Sequence, residues 1–341
     1  MISGFANYVG GLENVVNELE DFLVKRDIIV TVFAEKKPFF LPKKLQNIYF
    51  SRSSYHKLYY SLESQRKLHR YDFDIIHGHG ENCFFVALLR RNTPFVMTFH
   101  GTYSKSTRQD ARILPSYYAE KTAAYKCDIA VACSNSVKEE IKSQYGISGN
   151  KIKVIYNGVD TETFAPQNKD QSRQILNLPK SKYYALWVGR DPFRKGLKTV
   201  LKTLADFPDV HLIIVGFRMA NTKKVTCFGK ASLDKLVNAY NSADFLFFPT
   251  IYEGFPNVPM EAMACGLPII VSKQSNMGEV ISQGKQGFVV DNDNYSDRIE
   301  SLLQNQQLRE KIAVNCRELA LHYDWNKQAQ KYLDLYKKLS N

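Results

Sequence analysis

Short apolar runs recur along this chain, each closed by a small or polar residue and followed by a stretch with helical spacing. Ile28-Ile-Val-Thr-Val-Phe33, Asp74-Ile-Ile-His77, Phe95-Val-Met-Thr-Phe99, Asp128-Ile-Ala-Val-Ala-Cys133 and Ile152-Lys-Val-Ile-Tyr156 are of this kind. Strands this apolar are covered on both faces, which is the habit of parallel sheets with crossover helices. Helical spacing falls between them. Leu12 to Arg26 carries Val15, Val16, Leu19, Phe22 and Leu23 on one side, and further helices are expected over Asn82–Arg91 and Ser136–Tyr145, the last capped by Ser134.

The pattern then restarts. Residues 161–181 are polar, contain Pro166 and Pro179, and read as a linker. Beyond them come Tyr183-Tyr-Ala-Leu-Trp-Val188, His211-Leu-Ile-Ile-Val215, Val225-Thr-Cys-Phe228, Phe245-Leu-Phe-Phe248, Pro268-Ile-Ile-Val271 and Gly287-Phe-Val-Val290. A chain of 341 residues exceeds one ordinary core. The expected fold class is α/β, with two doubly wound Rossmann-like domains facing a cleft, at residues 1–160 and 182–322. One large sheet is the alternative, disfavoured by the linker and by size. Residues 323–341 read as a helix that either returns to the first domain or packs on the second. At the start, Met1-Ile-Ser-Gly-Phe5 reads as the tail of a strand entering Val9-Gly10-Gly11. Either that strand is short or the sequence begins a few residues late.

The formal net charge is +12, which favours an anionic partner. Residues 36–70 hold nine Lys/Arg and one acid, Glu63, interleaved with Tyr55, Tyr59 and Tyr60. This stretch reads as a dock for anionic lipid, as a site for an anionic acceptor, or as a solvated face. No apolar run approaches the ~18 residues of a membrane span. No basic segment precedes an apolar one at the N-terminus. The expected location is cytoplasmic, peripheral on the inner face of the membrane. Cys83, Cys127, Cys133, Cys227, Cys265 and Cys316 form no CxxC pair and read as reduced thiols. Nucleic-acid binding is suggested by charge alone, without a recognisable binding motif, and is not expected.

The chemistry concentrates in Glu253-Gly-Phe-Pro-Asn-Val-Pro-Met-Glu261. One carboxylate lies in a loop after a strand and the other inside the helix that follows. Such a unit sets an acid and helix-terminal amides at a sheet edge, where α/β proteins hold phosphates and polyhydroxyl ligands. Gly189-Arg190-Asp191-Pro-Phe-Arg-Lys195-Gly196 places cations after another strand. It reads as an anion site or as a solvated turn, and it is neither a P-loop nor GxGxxG. Gly10-Gly11 allows close backbone approach to a ligand, or is a simple turn. His100, before Gly101, ends a strand, and a structural role competes with a catalytic one. His77 and His79 are placed similarly, and as a metal pair they lack a third ligand. Asp72-Phe-Asp74 and Asp291-Asn-Asp293 have a DxD shape, but the first begins a strand and the second fits a turn. No metal site and no cofactor is expected.

Together these pieces resemble the GT-B-fold retaining glycosyltransferases of family 4, or glycosyl transferases group 1. The resemblance rests on Gly10-Gly11-Leu12-Glu13, Thr98-Phe-His100-Gly101, Ser134-Asn-Ser136, Val154-Ile-Tyr-Asn157-Gly158-Val-Asp160, Gly189-Arg190 with Lys195-Gly196, and Glu253 through Glu261 to Gly266-Leu-Pro268. It implies a hexosyl transfer from a UDP- or GDP-sugar to a glycan or lipid-linked acceptor, retaining and metal-independent. It implies that Glu261 binds both ribose hydroxyls and that Glu253 faces the donor sugar beside the amides of Gly254, Phe255, Pro256 and Asn257 (proline supplying none). Arg190 and Lys195 would neutralise the diphosphate, and Gly11 would approach it. His100 would sit near the transferred sugar, and the base near Phe228 and Gly229. Residues 217–224 are short where many relatives carry a longer glycine-rich loop. An epimerase on the same architecture is the alternative enzyme, but no further acid/base carboxylates suggest themselves.

Overall fold

The computed structural model describes residues 2–5, 11–35, 61–68, 70–90, 92–102, 114–291 and 294–340. The chain divides into two compact units, Met1–Asn157 with Gln328–Asn341, and Gly158–Lys327.

The first unit is built on a six-stranded sheet of order β2-β1-β3-β4-β5-β6. Its strands are β1 (Ile2–Phe5), β2 (Phe33–Glu35), β3 (Ile76–His79), β4 (Phe95–Phe99), β5 (Ile129–Ala132) and β6 (Ile152–Val154), all paired in parallel. Its helices include α1 (Gly11–Val24), α2 (residues 61–68), α3 (Phe84–Leu89), α4 (Leu114–Lys126) and α5 (Asn135–Glu140). Leu19, Phe22 and Leu23 of α1 pack with Val96, Val131 and Ile155 and with Tyr332, Leu333 and Tyr336 of the last helix in one buried cluster.

Two local readings need correction, and a third holds with a change of helix type. The run Ile28–Phe33 enters the sheet only at its end, because the edge strand has nothing to pair with beyond the short β1, at Ile2↔Phe33 and Phe5↔Glu35. Ile29 is instead 96% exposed. The helix expected over Asn82–Arg91 is a 3-10 turn, Gly80–Cys83, followed by α3. Ser134 does cap α5, its Oγ accepting from Val137 N, but the helix then widens to a π turn, Ile141–Tyr145, and stops at Gly146 in the left-handed region.

The second unit carries the sheet β12-β11-β10-β7-β8-β9, again all parallel. The strands are β7 (Tyr183–Val188), β8 (Val210–Val215), β9 (Val225–Cys227), β10 (Phe245–Phe248), β11 (Ile269–Ser272) and β12 (Gly287–Val290). The helices are α6 (Lys169–Ile175), α7 (Leu197–Leu204), α8 (Leu233–Ser242), α9 (Asn257–Ala264), α10 (Ser296–Gln304) and α11 (Gln306–His322). The central strands β7, β8, β10 and β11 are buried almost throughout, which their unbroken apolar sequences require.

The segment read as a linker, 161–181, contains a helix belonging to this second fold. Asn168 caps α6, and Lys169 Nζ and Arg173 Nη2 reach the Asp244 carboxylate at 2.9 and 3.1 Å. Asp244 also accepts from Tyr184 N at 2.8 Å, tying α6 to β7. The last helix, α12 (Trp325–Ser340), starts in the second unit and from Gln328 onward belongs to the first. Among the described residues, no helix is long and apolar enough to cross a membrane.

Candidate active site

In the second unit, the turn after β7 is held by its own backbone and by Asp191. Asp191 Oδ1 accepts from the amides of Phe193 and Arg194 at 3.1 and 2.9 Å. Gly196 closes the turn at φ 68°, where a Cβ would overlap the Pro249 carbonyl oxygen, so glycine is required there. Trp187 Nε1 donates to Lys195 O at 2.9 Å, fixing the lysine's backbone from beneath. Lys195 Nζ then meets Glu253 Oε1 at 2.5 Å, with the two side chains 15% and 13% exposed. Arg190 is exposed at the end of the same strand.

The Glu253 loop is fixed as firmly. Glu253 N donates to Gln274 O at 3.1 Å, and Asn276 Nδ2 bridges the carbonyls of Glu253 and Gly254 at 2.7 and 3.2 Å. Thr250 Oγ1 lies 3.3 Å from Glu253 Oε1. Gly254, the buried Phe255 and Pro256 lead into α9, so the first-turn amides of this helix, from Asn257 on, stand at the carboxyl edge of the sheet.

Glu261, inside α9, is buried, and Tyr240 of α8 donates to its Oε2 at 2.6 Å. Burial raises the Glu261 pKa, while the Tyr240 hydrogen bond and the Lys195 charge lower it. Burial and the neighbouring Glu261 carboxylate hold the Tyr240 phenol well above its ordinary pKa, so it remains a donor. One acceptor position of Oε2 is thus taken by Tyr240, which orients the carboxylate.

At the far end of the sheet, Gly229 at φ 58° and Gly216 at φ 94° are joined by Gly216 N donating to Gly229 O at 2.6 Å. Phe228 is half-buried, with Lys235 Nζ 5.1 Å from its ring centroid. The short 217–224 segment folds back onto Cys227: Met219 N donates to Cys227 Sγ at 3.2 Å, the thiol donates to Phe217 O at 2.8 Å, and Asn221 Oδ1 accepts from Cys227 N at 2.8 Å.

The first unit brings three histidines together at the carboxyl ends of β3 and β4. His100 Nε2 lies 3.0 Å from His79 Nδ1, and the two rings stack at 5.3 Å. His79 in turn lies 4.4 Å from the His77 ring. His77 bonds Tyr336 OH through Nδ1 at 2.6 Å and Thr98 Oγ1 through Nε2 at 2.7 Å. Burial lowers the His100 pKa to about 4 and pushes His77 and His79 well below the ordinary value. All three are neutral at pH 7.

Gly11 opens α1, whereas Gly10 lies outside the described residues, as does most of the basic stretch 36–70. Asp72 and Asp74 are exposed at the amino end of β3. Asp291 pairs with Lys273 at 2.8 Å, and residues 292 and 293 lie outside the described set. Among the described residues, no group of three His, Cys, Asp or Glu side chains is disposed to hold a metal.

Residues 9–163 match Glycosyltransferase Family 4, and residues 168–319 match Glycosyl transferases group 1. The chain belongs to the GT-B glycosyltransferases of family 4, group 1. This glycosyltransferase is 26% identical over 299 residues to a glycosyltransferase of Methanocaldococcus jannaschii, covering 78% of the present chain and 75% of that one. Its fold is similar to that of the sucrose-phosphate synthase of Thermosynechococcus elongatus, at TM-score 0.84 and 21% identity over 99% and 98% of the two chains. It is also similar to Anabaena HepE, a structure determined with UDP-glucose, at TM-score 0.76 and 18% identity over 99% and 98%.

Within this glycosyltransferase the sequence pointed to Lys195, Glu253 and Glu261 but not to Tyr240 and Asn276, which hold the two glutamates. Tyr240 sits on a different helix, and nothing in the spacing of α8 marks it. Asn276, at φ 60°, follows β11, and its left-handed backbone has no signature beyond the residue type itself.

Proposed function

We propose that this glycosyltransferase moves a hexosyl group from a UDP- or GDP-sugar to a glycan or lipid-linked acceptor, with retention and without a metal ion. The observation that carries the reading is the pairing at one sheet edge of Glu261 with Tyr240 and of Glu253 with Lys195. Glu261 Oε1 accepts from a ribose hydroxyl, with Tyr240 holding the other oxygen in place. Lys195 and Arg190, with the start of α9, supply positive potential for a diphosphate. Glu253 accepts from donor-sugar hydroxyls, and its carbonyl is held away by Asn276. Gly229 leaves room for the base beside Phe228. His100 hydrogen-bonds a hydroxyl of the transferred sugar.

In the transfer, the bond between the sugar's anomeric carbon and the β-phosphate oxygen breaks, and its electron pair leaves with the diphosphate. The acceptor oxygen bonds to the same carbon on the same face. The acceptor's proton passes to the departing phosphate oxygen. With no metal, the growing charge is met by Lys195 and Arg190, whose stabilisation is greatest in the transition state. The basic stretch 36–70 brings the enzyme to an anionic membrane surface carrying the acceptor.

A thermal-shift series with UDP, GDP and ADP, followed by a panel of nucleotide sugars assayed for transfer and hydrolysis, tests the reading. Stabilisation by one nucleotide and turnover of its sugar conjugate is the expected result. No response to any nucleotide would remove the donor assignment.

A further inference from the structure

His79 is fully buried, flanked by the rings of His77 and His100. Its strand is held close on the other side: a Cβ at Gly78 would overlap Cys83 Sγ and crowd the Phe95 ring. His77 cannot turn to serve His79, since both its ring nitrogens are already partnered, by Tyr336 and Thr98. His79 therefore has one hydrogen-bonded nitrogen, Nδ1, facing His100 Nε2 at 3.0 Å, while its Nε2 is buried without a partner among the described residues.

Two neutral imidazoles joined through one nitrogen each share a single hydrogen there, so there are two arrangements. If His100 Nε2–H donates, His79 must carry its own hydrogen on Nε2, where a buried N–H is orphaned. If His79 Nδ1–H donates, the orphaned atom is only a bare lone pair. Buried N–H groups without acceptors are rare in folded proteins, and under-used acceptors are better tolerated. The second arrangement is favoured. It leaves His100 Nε2 as the acceptor and places the His100 hydrogen on Nδ1.

We propose that His79 is a positioning residue for His100: its Nδ1–H donates to His100 Nε2, fixing the His100 ring and tautomer so that Nδ1–H is the donor offered to a sugar hydroxyl. This rests on the reading of His100 as a sugar contact. His79 itself touches no substrate. Its role is that of an outer partner which sets the tautomer of a working imidazole through the opposite nitrogen.

The test is a long-range ¹H–¹⁵N correlation spectrum of the full chain labelled on histidine ring nitrogens, near neutral pH, with signals assigned from the variants. The wild type is expected to show His100 protonated at Nδ1 and bare at Nε2, and His79 the same. His79→Asn places an amide donor where Nδ1–H stood and keeps the His100 pattern. His79→Leu removes the donor, and the His100 signals move toward the opposite tautomer. In turnover of the sugar nucleotide found by the donor panel, kcat falls about tenfold or more in His79→Leu, on the scale of a lost outer partner to a metal-bound imidazole, with KM little changed and recovery in His79→Asn. His100 protonated at Nε2 in the wild type overturns the proposal, and so does an unchanged His100 pattern in a folded His79→Leu. Should His79→Leu not fold, the wild-type and His79→Asn spectra still decide. If the tautomer is as expected while His100→Ala transfers sugar at the wild-type rate, the sugar-contact reading fails and the hydrogen-bond assignment stands.

Discussion

Tyr240 and Glu261, on successive helices of the second unit, are joined by a buried hydrogen bond of 2.6 Å from phenol to carboxylate. The bond holds the Glu261 carboxylate in one orientation. It also offsets part of the burial that raises the glutamate's pKa.

Tyr240→Phe should keep the ring in place and remove only the donor. A buried carboxylate that loses a hydrogen bond loses about 1.5–3 kcal/mol. Nucleotide affinity should fall by about tenfold or more, as measured by calorimetry with the nucleotide that stabilises the wild type. Glu261→Ala should weaken it further while the thermal transition stays cooperative. Wild-type affinity in Tyr240→Phe would show that the phenol serves packing alone.

Lys195 and Glu253 form a largely shielded ion pair, so removing either partner leaves a charge behind. Lys195→Ala combined with Arg190→Ala should cut transfer by roughly 10²–10³-fold, the scale of a lost transition-state donor, while nucleoside binding changes much less. Glu253→Gln keeps the shape and removes the charge, and should raise KM for the donor more than it lowers diphosphate affinity. Equal losses in transfer and binding across these variants would reduce the pair to a binding element.

The alternation of apolar runs and helices was legible along the chain, because strands buried on both faces have to be apolar whatever they bind. What escaped the sequence depended on partners distant along the chain. Ile28–Val32 has strand propensity, but pairing ends with the short β1. Residues 161–181 look like a linker until Asp244, far along the chain, is seen to hold Lys169 and Arg173. In the candidate site, Glu253, Glu261 and Lys195 stood out because glycine and proline frame them. Tyr240 and Asn276 did not, since each is defined by the atom it meets and not by its neighbours in sequence; His79 was visible as a strand-end histidine, but its pairing with His100 was not.

Tyr336 donates or accepts at His77 Nδ1 over 2.6 Å in a buried setting, within the first unit, whereas Glu261 belongs to the second. Tyr336→Phe should destabilise the protein by about 1–3 kcal/mol, the cost of an unmet buried polar group, in urea unfolding. The affinity for nucleotide alone should be unchanged. A loss of nucleotide affinity would contradict the assignment of nucleotide binding to the second unit.

The neutral histidines give acid sensitivity a defined sign. His77, His79 and His100 have folded pKa values below 6.5, with His100 at about 4, and burial is the main cause in each. As pH falls through 6.5 the unfolded chain takes up protons that the folded chain excludes. Stability from this source is therefore full above that pH and declines on acidification, for His100 down to about 4. Each histidine contributes a slope of about 1.4 kcal/mol per pH unit within its window. Urea unfolding at a series of pH values should show the decline, and His100→Asn should remove one histidine's share of the slope between its two pKa values. A slope identical in wild type and His100→Asn would mean that His100 takes up its proton in the folded protein as readily as in the unfolded chain.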